Sequence, residues 1–335
     1  MDVVLIPGDG VGKEISRCVK EISSVLNCDI NWIEYGAGAE YFDKNGVLLQ
    51  EGLLEKIAEK KLALKGPTAT PIGKGFRSVN VYLRQHFNTY ANVRPVKSIP
   101  GVQSRYDNVD LIVVRENSED LYKGVEYMYD NDTAHGIKII SRFASEKIIR
   151  FAFDHAVSNN RKKVTCVHKA NIMKMTDGLF LDCFNTIAKE YPDIQSNSVI
   201  IDALCMKLVT DPTEFDVLVA PNLYGDIISD LCAGLVGGLG FAPSANIGDD
   251  IRIYEAVHGS APDIAGQNRA NPCAMLMAFG MLLSDNGMTD KAVLLNKAIF
   301  ETIREGKTLT KDIGGNSSTD EFVNALIKRI KNETV

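Results

Sequence analysis

Asn222-Leu-Tyr-Gly-Asp226-Ile-Ile-Ser-Asp230-Leu-Cys-Ala-Gly234-Leu-Val-Gly-Gly-Leu-Gly240 follows a short apolar run, Val217-Leu-Val-Ala220. The run reads as a buried strand, and the residues after it turn helical. On a helix, Asp226 and Asp230 share one face about a turn apart. Two carboxylates so placed, near the end of a buried strand, offer oxygen donors to a hard divalent cation. Two solvated helix aspartates would show the same spacing. The asparagine, tyrosine and glycine ahead of Asp226 set this stretch apart, as do the glycines from 234 to 240, which suit close backbone packing better than a free helix.

Working outward, other short apolar runs end in polar residues of the same kind. Val164-Thr-Cys-Val167 runs into His168-Lys169-Ala-Asn171, and Val199-Ile-Ile201 into Asp202. A lysine at the end of a buried strand is costly unless its charge is used, although a long side chain can also snorkel to water. Asp110-Leu-Ile-Val-Val114 delivers Arg115-Glu-Asn-Ser-Glu-Asp-Leu-Tyr122 to its C-terminal end. Ligands of open α/β sheets bind at such ends. Upstream, a helix over 78–88 puts Ser78 and Asn80 near its N-terminus, where anions are favoured, with Arg84 on a nearby turn. Arg94 follows an extended run, as Pro95 encourages. Three arginines, 84, 94 and 115, beside serine and asparagine suit a multiply charged carboxylate, because the planar guanidinium holds carboxylates bidentately.

At the amino end, Val3-Val-Leu-Ile6 and Pro7-Gly-Asp-Gly-Val-Gly12 precede a helical period at Val11, Ile15, Val19, Ile22 and Leu26. The glycine spacing is not the full G-x-G-x-x-G, so the loop reads as a tight strand-to-helix turn rather than a dinucleotide fingerprint. A strand over 136–141 is expected, and Ser145 is expected to cap a helix running to Val157. After Pro243, Ile253-Tyr-Glu255-Ala-Val257 precedes a polar loop from His258 to Asn271, and Pro272 opens a Met-rich helix that belongs to the core.

The 335 residues allow one large or two moderate domains. A net charge of -6, from 43 acidic and 37 basic residues, gives no support for a nucleic-acid face, so an anionic ligand needs a local cluster of bases. Seven scattered cysteines, an odd number without a Cys-x-x-Cys pair, point to reduced thiols rather than a disulfide frame or zinc site. The longest apolar stretch, 231–243, is too short and glycine-rich to span a bilayer. No basic-then-apolar leader precedes the first strand. The expected location is cytoplasmic, or the mitochondrial matrix for a chain that has shed a transit peptide.

Five segments together resemble the β-decarboxylating dehydrogenases, the family of isocitrate, homoisocitrate, 3-isopropylmalate and tartrate dehydrogenases. They are Pro7 to Gly12 with its strand, Lys65 to Pro95, Arg115 to Tyr122, His168 to Met173, and Asp202 to Asn271. They span nearly the whole chain and are most similar to the NAD-dependent isocitrate type. The resemblance implies an α/β, isocitrate/isopropylmalate dehydrogenase-like two-domain fold, not a Rossmann fold. It places a larger domain at 1–90 and 246–335, and a smaller one at 91–245.

The resemblance also implies the site. Ser78, Asn80, Arg84, Arg94 and Arg115 would bind isocitrate, with Ser78 and Asn80 grasping its γ-carboxylate where isopropylmalate enzymes place apolar residues. Asp226 and Asp230 would hold Mg2+ or Mn2+, joined by Asp202 of a neighbouring subunit. Tyr122 and the neighbour's Lys169 would be the acid/base pair, with Asp202 assisting, which requires a homo-oligomer of at least two chains. Thr70, Glu255, His258, Gly259, Ser260, Ala261, Pro262, Asp263, Ile264 and Asn271 would bind NAD. Ala69 departs from the threonine of some relatives, while Thr70 remains. Bacterial NADP-dependent relatives carry Lys-Tyr at the place of Asp263-Ile264 and an arginine near Gly314-Gly315. An aspartate accepts hydrogen bonds from ribose hydroxyls and repels a 2′-phosphate. The alternatives are a homoisocitrate or 3-isopropylmalate dehydrogenase, against which Ser78 and Asn80 argue, and a non-catalytic regulatory subunit. Regulatory chains usually lose a catalytic tyrosine, an arginine or a metal carboxylate, and all are present here.

Overall fold

In a computed structural model of the chain, residues 1–69 and 78–333 are described. They fall into two compact units, Met1–Phe87 with Ser98–Asp107 and Val236–Val335, and Asn88–Lys97 with Asn108–Leu235.

The first unit opens with β1 (Asp2–Ile6), α1 (Gly12–Val25), β2 (Asn31–Glu34), α2 (Ala39–Asn45), α3 (Leu53–Lys60), β3 (Leu62–Lys65) and α4 (Val79–His86). The second unit holds β4 (Ala91–Lys97), β5 (Asp110–Glu116), β6 (Glu126–Met128), β7 (Ala134–Gly136), α5 (Arg142–Ser158), β8 (Lys163–His168), α6 (Thr176–Ile187), β9 (Gln195–Ile200), α7 (Ile201–Thr210), β10 (Val217–Ala220) and α8 (Asn222–Leu235). The chain then returns to the first unit for β11 (Pro243–Ile247), β12 (Arg252–Ala256), α9 (Cys273–Asp285), α10 (Thr289–Glu305) and α11 (Thr319–Glu333).

Strand order in the first unit is β2-β1-β3-β12-β11, parallel except for the antiparallel β11–β12 pair. Side chains of β1 alternate between two cores, as a period of two requires. Val3 and Leu5 pack with α1 and α9–α11, whereas Val4 and Ile6 pack with α3 and α4. Both faces are therefore buried, which explains why the strand reads as a continuous apolar run. Each such side chain contributes about 1.5–3 kcal/mol on burial. The Met-rich helix α9 lies in the first of these cores.

The glycines of the first turn meet a steric need. Gly8 (φ +76) and Gly10 (φ +57) sit in the left-handed region. A Cβ on Gly10 would stand 1.9 Å from the Ser260 carbonyl oxygen, and Val11 N donates to that same oxygen at 2.9 Å. The turn thus packs on the later polar loop. Between its glycines, buried Asp9 accepts from the backbone N–H groups of Ala39, Glu40 and Ala69.

In the second unit the order is β4-β5-β10-β8-β9, with only β4–β5 antiparallel, and β6–β7 forms a separate exposed hairpin. The strands β5, β10, β8 and β9 run the same way. Their C-terminal ends deliver Arg115, α8, Lys169 and Asp202.

Two local expectations are corrected. The strand expected over 136–141 ends at Gly136. The apolar run from Ile137 makes single bonds to separate segments, Ile137 N to Val125 O and Ile139 O from Asp120 N, instead of a ladder. The cap of α5 is Ser141, not Ser145. Ser141 is extended and its Oγ accepts from Ala144 N. Ser145 lies inside the helix, buried, and its Oγ has no partner among the described residues.

Candidate active site

The second unit gathers its charged groups on α8. Arg115, at the end of β5, is almost wholly buried. Its Nε and Nη2 donate to Asn222 Oδ1 at 3.0 and 2.8 Å, and its Nη1 pairs with Asp226. Gly225 makes this crossing possible, because a Cβ there would stand 2.6 Å from Arg115 Cγ. The Asn-Leu-Tyr-Gly-Asp sequence is in this respect a cradle for one arginine. Arg94 on β4 approaches the next turn of the helix. Its Nη1 donates to Ser229 Oγ at 2.6 Å and to Asp230 at 3.1 Å, and its Nη2 lies 3.5 Å from Asp226. Asn92, two residues earlier on the same strand face, accepts from Arg94 Nε at 2.8 Å.

Tyr122 Oη donates to Asp226, and the Arg115 guanidinium lies 4.8 Å from the Tyr122 ring centroid. Burial and the Asp226 carboxylate push the Tyr122 hydroxyl above the usual phenol value, against the opposing pull of Arg115. Tyr122 is thereby kept protonated as a donor. The amino end of α8 is held by Asp120, whose carboxylate accepts from Leu223 N at 2.9 Å.

Lys169 and Asp202 form a second group, beyond β8 and β9. Lys169 Nζ pairs with Asp202, and this lysine holds the exposed aspartate below its ordinary value. Among the described residues, no three His, Cys, Asp or Glu side chains gather closely enough to hold a metal ion. Asp226 and Asp230 present two carboxylates along one side of α8, both paired with arginines of this unit.

In the first unit, Ser78 precedes α4 without a side-chain capping bond, and Asn80 Oδ1 accepts from Thr68 at 3.1 Å. Arg84, on the last turn of α4, donates to Glu255 at 3.0 Å. Glu255 also meets Lys65 at 3.0 Å, its register partner across β3–β12, and accepts from Asn246 at 2.8 Å. Burial alone would raise the Glu255 carboxyl, but the charges of Lys65 and Arg84 and the Asn246 bond hold it far below the usual range. Its carboxylate is thus engaged within the unit.

A cavity of about 580 Å³ is lined by His258, Gly259, Ala261, Ile264 and Asn271, all expected cofactor contacts, and by Lys311 and Asp312, which sequence reasoning missed. His258 Nε2 is buried without a hydrogen-bond partner among the described residues. Burial lowers the His258 pKa, keeping the ring neutral. Asn271 donates to Asp312 at 2.9 Å. Ser260 contributes its carbonyl to the first turn, and Pro262 and Asp263 are exposed. Thr70 lies outside the described residues.

Comparison with known proteins places the chain in a family. The family model described as isocitrate/isopropylmalate dehydrogenase matches residues 2–326. The chain belongs to that family. It is 51% identical over 323 residues, 96% of this chain and 86% of the relative, to a protein of Arabidopsis thaliana named as mitochondrial NAD isocitrate dehydrogenase catalytic subunit 6. It is 49% identical over 329 residues, 98% of this chain and 91% of the relative, to a mitochondrial protein of Dictyostelium discoideum whose name makes it a regulatory subunit of NAD isocitrate dehydrogenase. The crystal structure of isocitrate dehydrogenase from Methylococcus capsulatus superposes with a TM-score of 0.95 at 46% identity, covering 98% of this chain and 99% of that one. The fold is therefore the α/β fold of isocitrate/isopropylmalate dehydrogenases. On α8, Asn222 and Ser229 accept hydrogen bonds from Arg115 and Arg94, and Gly225 leaves room for Arg115.

Asn92 could have been found from sequence, since residues two apart on a strand share a face. The Asn222–Arg115 contact could not, because it joins residues 107 positions apart.

Proposed function

We propose that this chain catalyses the oxidative decarboxylation of isocitrate to 2-oxoglutarate and CO2 with reduction of NAD, using Mg2+ or Mn2+. The observation that carries the reading is the meeting of two buried arginines and the Tyr122 hydroxyl on the Asp226–Asp230 face of α8. The donor set is carboxylate oxygen alone, which fits a hard cation. The same aspartates balance the arginines, so an anionic substrate and a cation enter as a matched pair.

Asp226 and Asp230 would hold the cation, which would supply Lewis acidity for developing oxygen charge, and NAD would supply the hydride acceptor. Arg94 and Arg115 orient substrate carboxylates through their planar forks, with Arg84 as a third cation. Ser78 and Asn80 take the γ-carboxylate. Lys169 removes the C2 hydroxyl proton, assisted by Asp202. Tyr122 returns a proton to C3. The neutral His258 lines the proposed NAD cavity, while Asp263 receives ribose hydroxyls. Glu255 and Thr70 complete the proposed cofactor contacts.

Lys169 and Asp202 serve a neighbouring copy, so the working unit is a homo-oligomer of at least two chains. No helix among the described residues is long and apolar enough to cross a membrane. All seven cysteines are free, which supports a reducing compartment, the cytoplasm or the mitochondrial matrix.

A second reading, a regulatory role, is raised by the Dictyostelium relative's name. The retention of Tyr122, Lys169, Asp202, Asp226, Asp230 and the three arginines favours catalysis. The test is a substrate panel of isocitrate, homoisocitrate and 3-isopropylmalate with NAD and NADP. The expected result is the highest kcat/KM with isocitrate and NAD. A higher kcat/KM for another 2-hydroxy acid would overturn the roles of Ser78 and Asn80.

A further inference from the structure

The backbone around Lys169 is held from several sides, and by one group above all. Asp177, fully buried in the first turn of α6, accepts from Lys169 N–H at 2.7 Å through Oδ2. Its other oxygen pairs at 2.5 Å with Lys138, whose side chain is also nearly inaccessible. The Lys138 ammonium lies 4.2 Å from the centroid of the Tyr224 ring, on the helix that bears Asp226 and Asp230. On the other side, His168 Nδ1 accepts from Ala170 N–H at 3.1 Å, and the Lys169 carbonyl accepts from both Ile172 and Met173. A surface lysine with its side chain one-quarter exposed needs no such support for folding alone. A buried ion pair is in itself weak evidence for stability, since apolar residues of similar volume often do as well.

We propose that Asp177 is a positioning residue for Lys169, fixing the lysine's backbone through its N–H, with Lys138 clamped on Tyr224 as the counter-charge that holds Asp177 in place. The proposal rests on Lys169 as the proton acceptor. Asp177 touches neither substrate nor cofactor. It acts by fixing where the Lys169 side chain starts, and small displacements of a reacting group lower the rate steeply.

The test compares two double variants of the intact purified enzyme, both without the buried charges. Lys138→Met/Asp177→Asn keeps an oxygen able to accept from Lys169 N–H, whereas Lys138→Met/Asp177→Leu removes it. With isocitrate, NAD and Mg2+, the leucine variant is expected to lose roughly tenfold to a hundredfold in kcat. Its KM values are expected to stay within about twofold. The isotope effect with isocitrate deuterated at C2 is expected to rise as the chemical step becomes limiting. The asparagine variant is expected to retain most of kcat. Equal kcat in the two folded variants would overturn the proposal. Should the leucine variant not fold, Lys138→Met alone decides. It is expected to lower kcat about threefold to tenfold at unchanged KM, and a folded Lys138→Met enzyme with wild-type kcat would overturn the proposal. Lys169→Met separates the two levels. Full turnover without Lys169 would remove the underlying reading itself, whereas an inactive Lys169→Met beside a fully active leucine variant would sink the role of Asp177 alone.

Discussion

Two residues outside the proposed chemical steps govern the arginines. Gly225 is required because Arg115 lies across it, and Arg115 is too deeply buried to move aside. Gly225→Ala is predicted to displace the guanidinium from Asn222 and Asp226. The KM for isocitrate should rise by about tenfold or more, the scale of one lost charge-assisted pair, with a stability loss of roughly 1–3 kcal/mol from overpacking. Steady-state kinetics and urea denaturation check both. Glu255 governs Arg84 and Lys65 from a buried position. Its folded pKa is depressed, so its stabilisation is fully present above the unfolded carboxyl value of about 4.3 and is lost as pH falls below it toward the folded value. Glu255→Gln leaves two buried cations without their counter-charge and is predicted to cost roughly 3–5 kcal/mol at neutral pH. The gap between variant and wild type should narrow below about pH 4. Denaturation across pH measures it, and a gap that stays constant would contradict the assignment.

At the scale of elements, what was legible depended on local period. Asp226 and Asp230 could be placed together because a helix repeats every 3.6 residues. Strands β1, β5, β8 and β10 were legible as apolar runs. Ser141 was missed as the cap because the apolar run ahead of it resembles a strand. The support of Lys169 was missed because Lys138, Asp177 and Tyr224 meet only through the tertiary fold. Ser141→Ala is predicted to cost about 1 kcal/mol, whereas Ser145→Ala, which removes a buried unpaired hydroxyl, should be neutral or slightly stabilising; thermal unfolding distinguishes them. The loop after α10 limits cofactor redesign. Gly314 has φ +86, and a Cβ on Gly315 would stand 2.0 Å from the Leu309 carbonyl oxygen. An arginine cannot be placed at either position without moving the backbone. Asp263→Lys with Ile264→Tyr is therefore predicted to weaken NAD use without giving NADP preference, read as the ratio of kcat/KM values.

At the scale of the whole molecule, the proposed sharing of Lys169 and Asp202 between copies gives a quantitative prediction. Lys169→Met and Tyr122→Phe should each be nearly inactive alone. If the sites are shared in a two-fold assembly, co-refolded equal mixtures should recover about a quarter of wild-type activity, because half the dimers are mixed and each mixed dimer has one intact site. No recovery would place each Lys169 in its own chain's site. Whether this chain is itself catalytic is decided by the initial rate of NAD reduction with isocitrate. The chain would be purified alone and assayed with Mg2+ and again after chelation. Turnover is expected, abolished by chelation and restored by Mg2+ or Mn2+. Absence of turnover from the folded chain alone, with activity only once a second, different chain is added, would contradict it.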